Sequence, residues 1–142
     1  MKPEQDYRVA DFMTRDVLKV TLETTAKNCA EVMAAEHVSS ALVTENNALL
    51  GIVTEKDLSR KIVAKGLDPN KIRVKDIMAT DVVTVGPEVS LYDAMLKLNK
   101  KKIKHLPVVN DGVVVGIITT MEILRLQPSY MELLASPTNR ES

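Results

Sequence analysis

The sequence predicts a mixed α/β (α+β) fold built from two copies of one strand–helix–strand–strand–helix unit. Three observations carry that prediction. A shift of 65 residues superposes 9–60 on 74–125 without a gap and makes twelve positions identical, among them Met13/Met78, Gly51/Gly116 and Thr54/Thr119; roughly three identities would arise by chance at average composition. Within each copy, β-branched runs alternate with stretches of helical period. Each copy also holds two apolar runs around a short polar turn, the pattern of a hairpin. A copy of about 55 residues supports only a small core, so the two are expected to pack sheet to sheet.

The elements follow in order. A short turn or helix (Val9–Met13, matched by Val74–Met78) leads into the β-branched runs Val17–Thr21 and Val82–Val85. Thr25 and Ser90 stand where helix N-caps belong, and Ser90 has Asp93 at capping-box spacing. The next helices place apolar residues at helical period: Cys29, Val32 and Met33 in one, Leu91, Ala94, Met95 and Leu98 in the other. Two strands then flank Glu45-Asn46-Asn47 in the first copy and Asn110-Asp111-Gly112 in the second. A closing helix starts near Thr54 and near Thr119, and Gly66 is the expected stop of the first. The expected organisation is an N-terminal arm at 1–8, a first unit at 9–66, a linker at 67–73, a second unit at 74–126 and a tail at 127–142.

Composition narrows the function classes. The 142 residues carry 19 Lys+Arg against 19 Asp+Glu, a formal net charge of zero. A chain of this length buries roughly 70% of its unfolded surface, and its 45% hydrophobic and 27% charged residues are globular proportions. Balanced charge argues against nucleic acid as a partner, which needs a basic face. Aromatics at 3% offer no platform for stacking bases. No apolar run has the length of a membrane span, and MKPEQDYR lacks the apolar stretch of a signal peptide. Cys29 is the single cysteine and His37 and His105 are the two histidines, so neither a disulfide framework nor a metal site is expected. The expected compartment is cytoplasmic.

The informative local string is Gly51-Ile52-Val53-Thr54-Glu55-Lys56-Asp57, matched by Gly116-Ile117-Ile118-Thr119-Thr120-Met121-Glu122. Two readings share its geometry. Thr-x-x-Asp and Thr-x-x-Glu are capping-box spacings, which satisfy backbone N–H groups at a helix start. The same hydroxyl and carboxylate, beside the positive end of a helix, are also the parts that hold a phosphate or a ribose.

Together with the tandem copies and the string Lys104-His105-Leu106-Pro107-Val108-Val109, this motif resembles a pair of cystathionine β-synthase (CBS) domains, often called a Bateman module. The resemblance covers roughly 9–126. It implies two pseudo-two-fold-related units with two clefts between them, each able to take an adenosine nucleotide. On that resemblance the principal cleft joins Thr54 and Asp57 to Val83, Ile103, Lys104, His105 and Pro107. The second joins Thr119 and Glu122 to Leu18, Val38, Ser39 and Ser40. Two departures weaken the second: Glu122 stands where the family favours Asp, and Leu42 stands where the other copy has Pro107.

The implied function is regulatory: a sensor that binds AMP first, then ADP or ATP, with no catalysis, no metal and no other cofactor. No nucleophile–base pair or ligand cluster emerges from the residues. The rival reading is a ligand-free interaction or dimerisation module, as a whole protein or as a fragment of a larger regulated one. Expected partners are the nucleotide, a second copy in a homodimer, and a regulated protein or domain. Among the remaining residues, the lysines at 97, 100, 101, 102 and 104 read either as cations at a negative helix terminus or as a lure for phosphate. Cys29 reads as core and His37 as surface, while Met13 and Met78 read as anchors of copy-to-copy packing. The stretch Tyr130-Met131-Glu132-Leu133-Leu134 reads as a short amphipathic helix that caps the module, packs in a dimer or leads to a further domain.

Overall fold

The structure, a computed structural model, describes residues 7–134; the outer part of the expected arm, 1–6, and the polar end, 135–142, lie outside the described residues. Two compact units are formed, one from residues 16–82 and one from 7–15 together with 83–134. The units cut across the sequence repeat, because the leading segment of each copy joins the body of the other.

In the unit 16–82, β1 (Lys19–Val20) pairs in parallel with β2 (Ser40–Glu45), which pairs antiparallel with β3 (Ala48–Thr54). Asn46 and Asn47 take φ of 52° and 66°, so the hairpin closes on two left-handed residues, a conformation asparagine tolerates. Between β1 and β2 runs α2 (Ala26–Glu36), whose first turn is capped by the Thr25 hydroxyl accepting from Asn28 N–H. Cys29 and Met33 of α2 are buried with Val43, Val53 and Ile62. Val32 is instead 36% exposed, because it lies off the buried stripe. Burial pushes the Cys29 thiol up from its ordinary value. After β3 come α3 (Glu55–Leu58) and a wider π-helical turn at Ser59–Val63. Gly66, at φ 64°, ends that helix, with its N–H and that of Leu67 bonded to Val63 and Ile62 carbonyls. An open apolar groove of about 600 Å³ lies along Ala26, Ala30, Ala34, Leu58 and Ile62, with exposed Val63 at its edge.

The unit of 7–15 and 83–134 repeats this plan with α4 (Leu91–Lys101), β4 (His105–Asn110), β5 (Val113–Thr119) and α5 (Thr120–Leu126). Leu91, Ala94, Met95 and Leu98 are each 0% exposed and form the core with Leu106, Ile118 and Ile123. Each large side chain so buried contributes roughly 1.5–3 kcal/mol. The expected strand Val82–Val85 is reduced to a single bridge, Val85 to Val108. The cause is Pro107. In the other unit Leu42 N–H donates to Leu18 carbonyl at 3.0 Å, and proline at the matching position has no N–H to give.

The leading segments dock alike. In one unit α1 (Val9–Phe12) bonds to the 86–91 segment, Val9 N–H reaching Val89 carbonyl at 2.8 Å, and Met13 packs on Gly116. In the other a 3₁₀ turn at Val74–Asp76 bonds Val74 N–H to Thr24 carbonyl at 2.8 Å, and Met78 packs on Gly51. The matched methionines therefore do join one copy to the other. The tail forms a 3₁₀ turn at Pro128–Tyr130 and α6 (Met131–Leu134). Tyr130 is 3% exposed and meets Tyr92 edge to face, and Asn99 Nδ2 donates to Leu133 carbonyl at 2.9 Å. This stretch covers the core of its own unit. Among the described residues, no helix is long and apolar enough to cross a membrane.

Candidate functional site

The motif residues sit where a buried strand gives way to a helix, because Thr54 and Thr119 are extended (φ −117° and −121°) and the next residue is helical. Around Thr54 the capping box is closed in both directions. Thr54 N–H and hydroxyl donate to Asp57 Oδ2 at 2.9 and 3.2 Å, and Asp57 N–H donates to Thr54 Oγ1 at 3.4 Å. Asp57 Oδ1 receives Lys61 Nζ at 3.1 Å, and the same ammonium donates to Ile77 carbonyl at 2.8 Å. The Asp57 side chain is 15% exposed, so solvent still reaches it.

The matching site is wired differently. Thr119 Oγ1 accepts from Glu122 N–H at 3.2 Å and donates to Oε1 at 3.1 Å. Glu122 Oε2 takes the Thr14 hydroxyl at 2.7 Å. The extra methylene of Glu122 lets its carboxylate span both hydroxyls, where Asp57 spans one hydroxyl and a lysine. Position 14 matches Ala79 and position 61 matches Leu126 in the repeat, so neither partner has a counterpart at the other site.

The remaining expected residues fall beside these motifs within each unit. Ser40, buried at 8% exposure, is opposite Thr54 in the β2–β3 register, and Ser39 carbonyl accepts from Glu55 N–H at 3.1 Å. Val38 is exposed and bonds through its N–H to Met33 carbonyl, while half-buried Leu18 packs on the core below. In the other unit His105 is opposite Thr119, Lys104 carbonyl accepts from Thr120 N–H at 3.0 Å, and Lys104 itself is exposed. Val83 and Ile103 pack at the edge of the core, and Pro107 is buried in β4. The described contacts thus bring Ser39 and Ser40 to Thr54 and Glu55, and Lys104 and His105 to Thr119 and Thr120.

Two partners were not foreseen from the sequence: Thr14 and Lys61. Lys61 had a signal, since it lies four residues after Asp57, the helical spacing for an ion pair. Thr14 had none, because its contact with Glu122 spans 108 residues. Of the lysine cluster, Lys97 is spent on Thr84 carbonyl at 2.7 Å, which agrees with a structural role. Among the described residues, no three His, Cys, Asp or Glu side chains gather to hold a metal.

The CBS domain family matches residues 9–64 and 74–129. An uncharacterized protein of Methanopyrus kandleri is 34% identical over 122 residues, 84% of this chain and 62% of the relative. The crystal structure of an uncharacterized conserved protein from Pyrococcus horikoshii superposes with a TM-score of 0.80 at 25% identity, over 89% of this chain and 94% of that one. The CBS domain pair of protein MJ0100, in complex with 5′-methylthioadenosine and S-adenosyl-L-methionine, superposes with a TM-score of 0.76 at 26% identity, over 84% and 98%. The chain spans 62% and 61% of the first two curated relatives it matches.

Proposed function

This chain belongs to the CBS-domain family, and we propose that it is a regulatory module that binds an adenosine nucleotide without catalysing a reaction on it. AMP is the first candidate, followed by ADP and ATP. The observation that carries the reading is the Thr54–Asp57 pair: a carboxylate held in place by a neighbouring hydroxyl and still reached by solvent, in a chain of this family. An ionised carboxylate accepts from ribose hydroxyls in bonds worth about 1.5–3 kcal/mol each. The complex of the MJ0100 pair with two adenosine derivatives supports the adenosine part of the reading.

In this proposal Asp57 takes the ribose, with Thr54 beside it. The Thr119–Glu122 motif is the weaker one, because Glu122 is already committed to two hydroxyls. The proposed assembly is a homodimer located in the cytoplasm. The open apolar groove beside α2 favours the second reading, an interaction module that works without nucleotide.

A thermal-shift panel of AMP, ADP, ATP, cyclic nucleotides and S-adenosylmethionine separates the two. A ligand at about 100 times its Kd adds roughly 2.7 kcal/mol, a rise of several degrees in the midpoint of a protein this size. No shift with any adenosine compound at millimolar concentration leaves the interaction module as the reading.

A further inference from the structure

The two motif carboxylates differ in what holds their second oxygen. Glu122 Oε2 is held by a neutral hydroxyl, Thr14, on a leading segment. Asp57 Oδ1 is held by a cation, Lys61, which is itself anchored to the Ile77 carbonyl on the other leading segment. The lysine reaches both from the π-helical turn at Ser59–Val63, where the helix widens immediately after Asp57. Such turns recur at functional positions.

A carboxylate offers about four acceptor positions, two on each oxygen. On Asp57 the two at Oδ2 are filled by Thr54 N–H and Oγ1–H, and one at Oδ1 by Lys61. One position remains, enough for a single hydroxyl. A ligand presenting two adjacent hydroxyls needs a second, and Lys61 is the partner that can leave. Thr54 N–H is fixed by the backbone and Thr54 Oγ1 is tied to Asp57 N–H, whereas the Lys61 side chain is 43% exposed and its ammonium can return to water.

We propose that Lys61 is a specificity-determining residue of the Asp57 site: a ligand that engages Asp57 through two adjacent hydroxyls must displace its ammonium, and in doing so releases the Ile77 carbonyl. The proposal rests on the assignment of Asp57 as the ribose acceptor. It makes Lys61 a tethered competitor of the sugar, and it links occupation of the site to the hold on the segment that follows Val74.

Isothermal titration with adenosine, which carries no charge of its own, tests this on the intact chain. Half-exposed ion pairs are worth little, so Lys61→Met should tighten adenosine by about 1.5- to 5-fold. 2′-Deoxyadenosine offers one hydroxyl at that position and should bind both proteins alike. Salt screens exposed pairs, so adenosine affinity should rise more steeply with ionic strength in the wild type than in Lys61→Met. Lys61→Gln, which keeps a donor for the Ile77 carbonyl without the charge, should tighten binding in the same sense. If Asp57→Ala weakens adenosine while both Lys61 variants leave affinity, salt dependence and the ribose preference unchanged, the role of Lys61 is overturned and the site stands. If Asp57→Ala binds like the wild type, or none of the proteins binds, the site assignment falls and this inference with it.

Discussion

Gly51 is a point where one methyl group should be felt through the whole unit. A Cβ built there would lie 2.6 Å from Met78 Sδ, 2.9 Å from Met78 Cγ and 2.8 Å from the Ala79 carbonyl oxygen. The methionine end can swing away at modest cost. The carbonyl cannot, because it accepts from Ile52 N–H at 3.0 Å while Ala79 N–H donates back to Ile52 carbonyl at 2.9 Å. In Gly51→Ala the leading segment must therefore retreat and strain or break that bonded pair. Two backbone bonds at about 1 kcal/mol each, plus overpacking of about 1–3 kcal/mol, give a loss of about 3–5 kcal/mol. Against a total stability of about 5–15 kcal/mol that is a large fraction, and the thermal midpoint should fall by roughly 5–20 °C. Urea unfolding followed by circular dichroism measures it. Gly116→Ala, whose Cβ would meet Met13 Sδ at 2.7 Å and Thr14 carbonyl at 2.9 Å, should lose a similar amount. A loss under about 0.5 kcal/mol in both variants would refute the account of why Gly and Met recur together in the two copies.

Three further outcomes follow from local geometry. Lys102 caps α4 in the left-handed region at φ 56°, so Lys102→Gly should raise stability by about 0.5–1 kcal/mol, read as a shift in the urea midpoint. Cys29 is fully buried with its thiol pushed up by burial; a thiol reagent at pH 8 should label it only as fast as the unit opens. Because its folded value is raised, the stability it contributes is present below its ordinary value and lost as pH climbs above it. Thr14→Val removes the hydroxyl that Glu122 Oε2 accepts from, and should cost about 1–2 kcal/mol of stability with no loss of adenosine binding by calorimetry.

Much of this fold was legible because its determinants are local. The helix caps at Thr25, Ser90, Thr54 and Thr119, the two-residue turns at Asn46-Asn47 and Asp111-Gly112, and the Gly66 stop each depend on a few adjacent residues. The exchange of leading segments was legible only in part: the repeat flagged Met13, Met78, Gly51 and Gly116, but not which methionine meets which glycine. The Val82–Val85 run failed as a strand for a reason carried by a residue elsewhere, the missing N–H of Pro107. At the site, the hydroxyl–carboxylate pairing was readable from spacing. The Thr14 contact was not, since nothing local joins residues 14 and 122. Lys61 was within reach of the i, i+4 rule, yet its second bond, to the Ile77 carbonyl, depends on tertiary packing.

Whether Asp57 holds the ribose of an adenosine nucleotide is decided by calorimetric titration of AMP into the wild type, Asp57→Ala and Glu122→Ala. Asp57→Ala should weaken AMP by about tenfold or more, since a lost charge-assisted bond of about 1.4 kcal/mol or greater is a factor of ten. Glu122→Ala, whose carboxylate serves Thr119 and Thr14, should change binding little and show a modest loss of thermal stability instead. Abolition of binding in Glu122→Ala with Asp57→Ala intact would contradict the assignment of the ribose to Asp57.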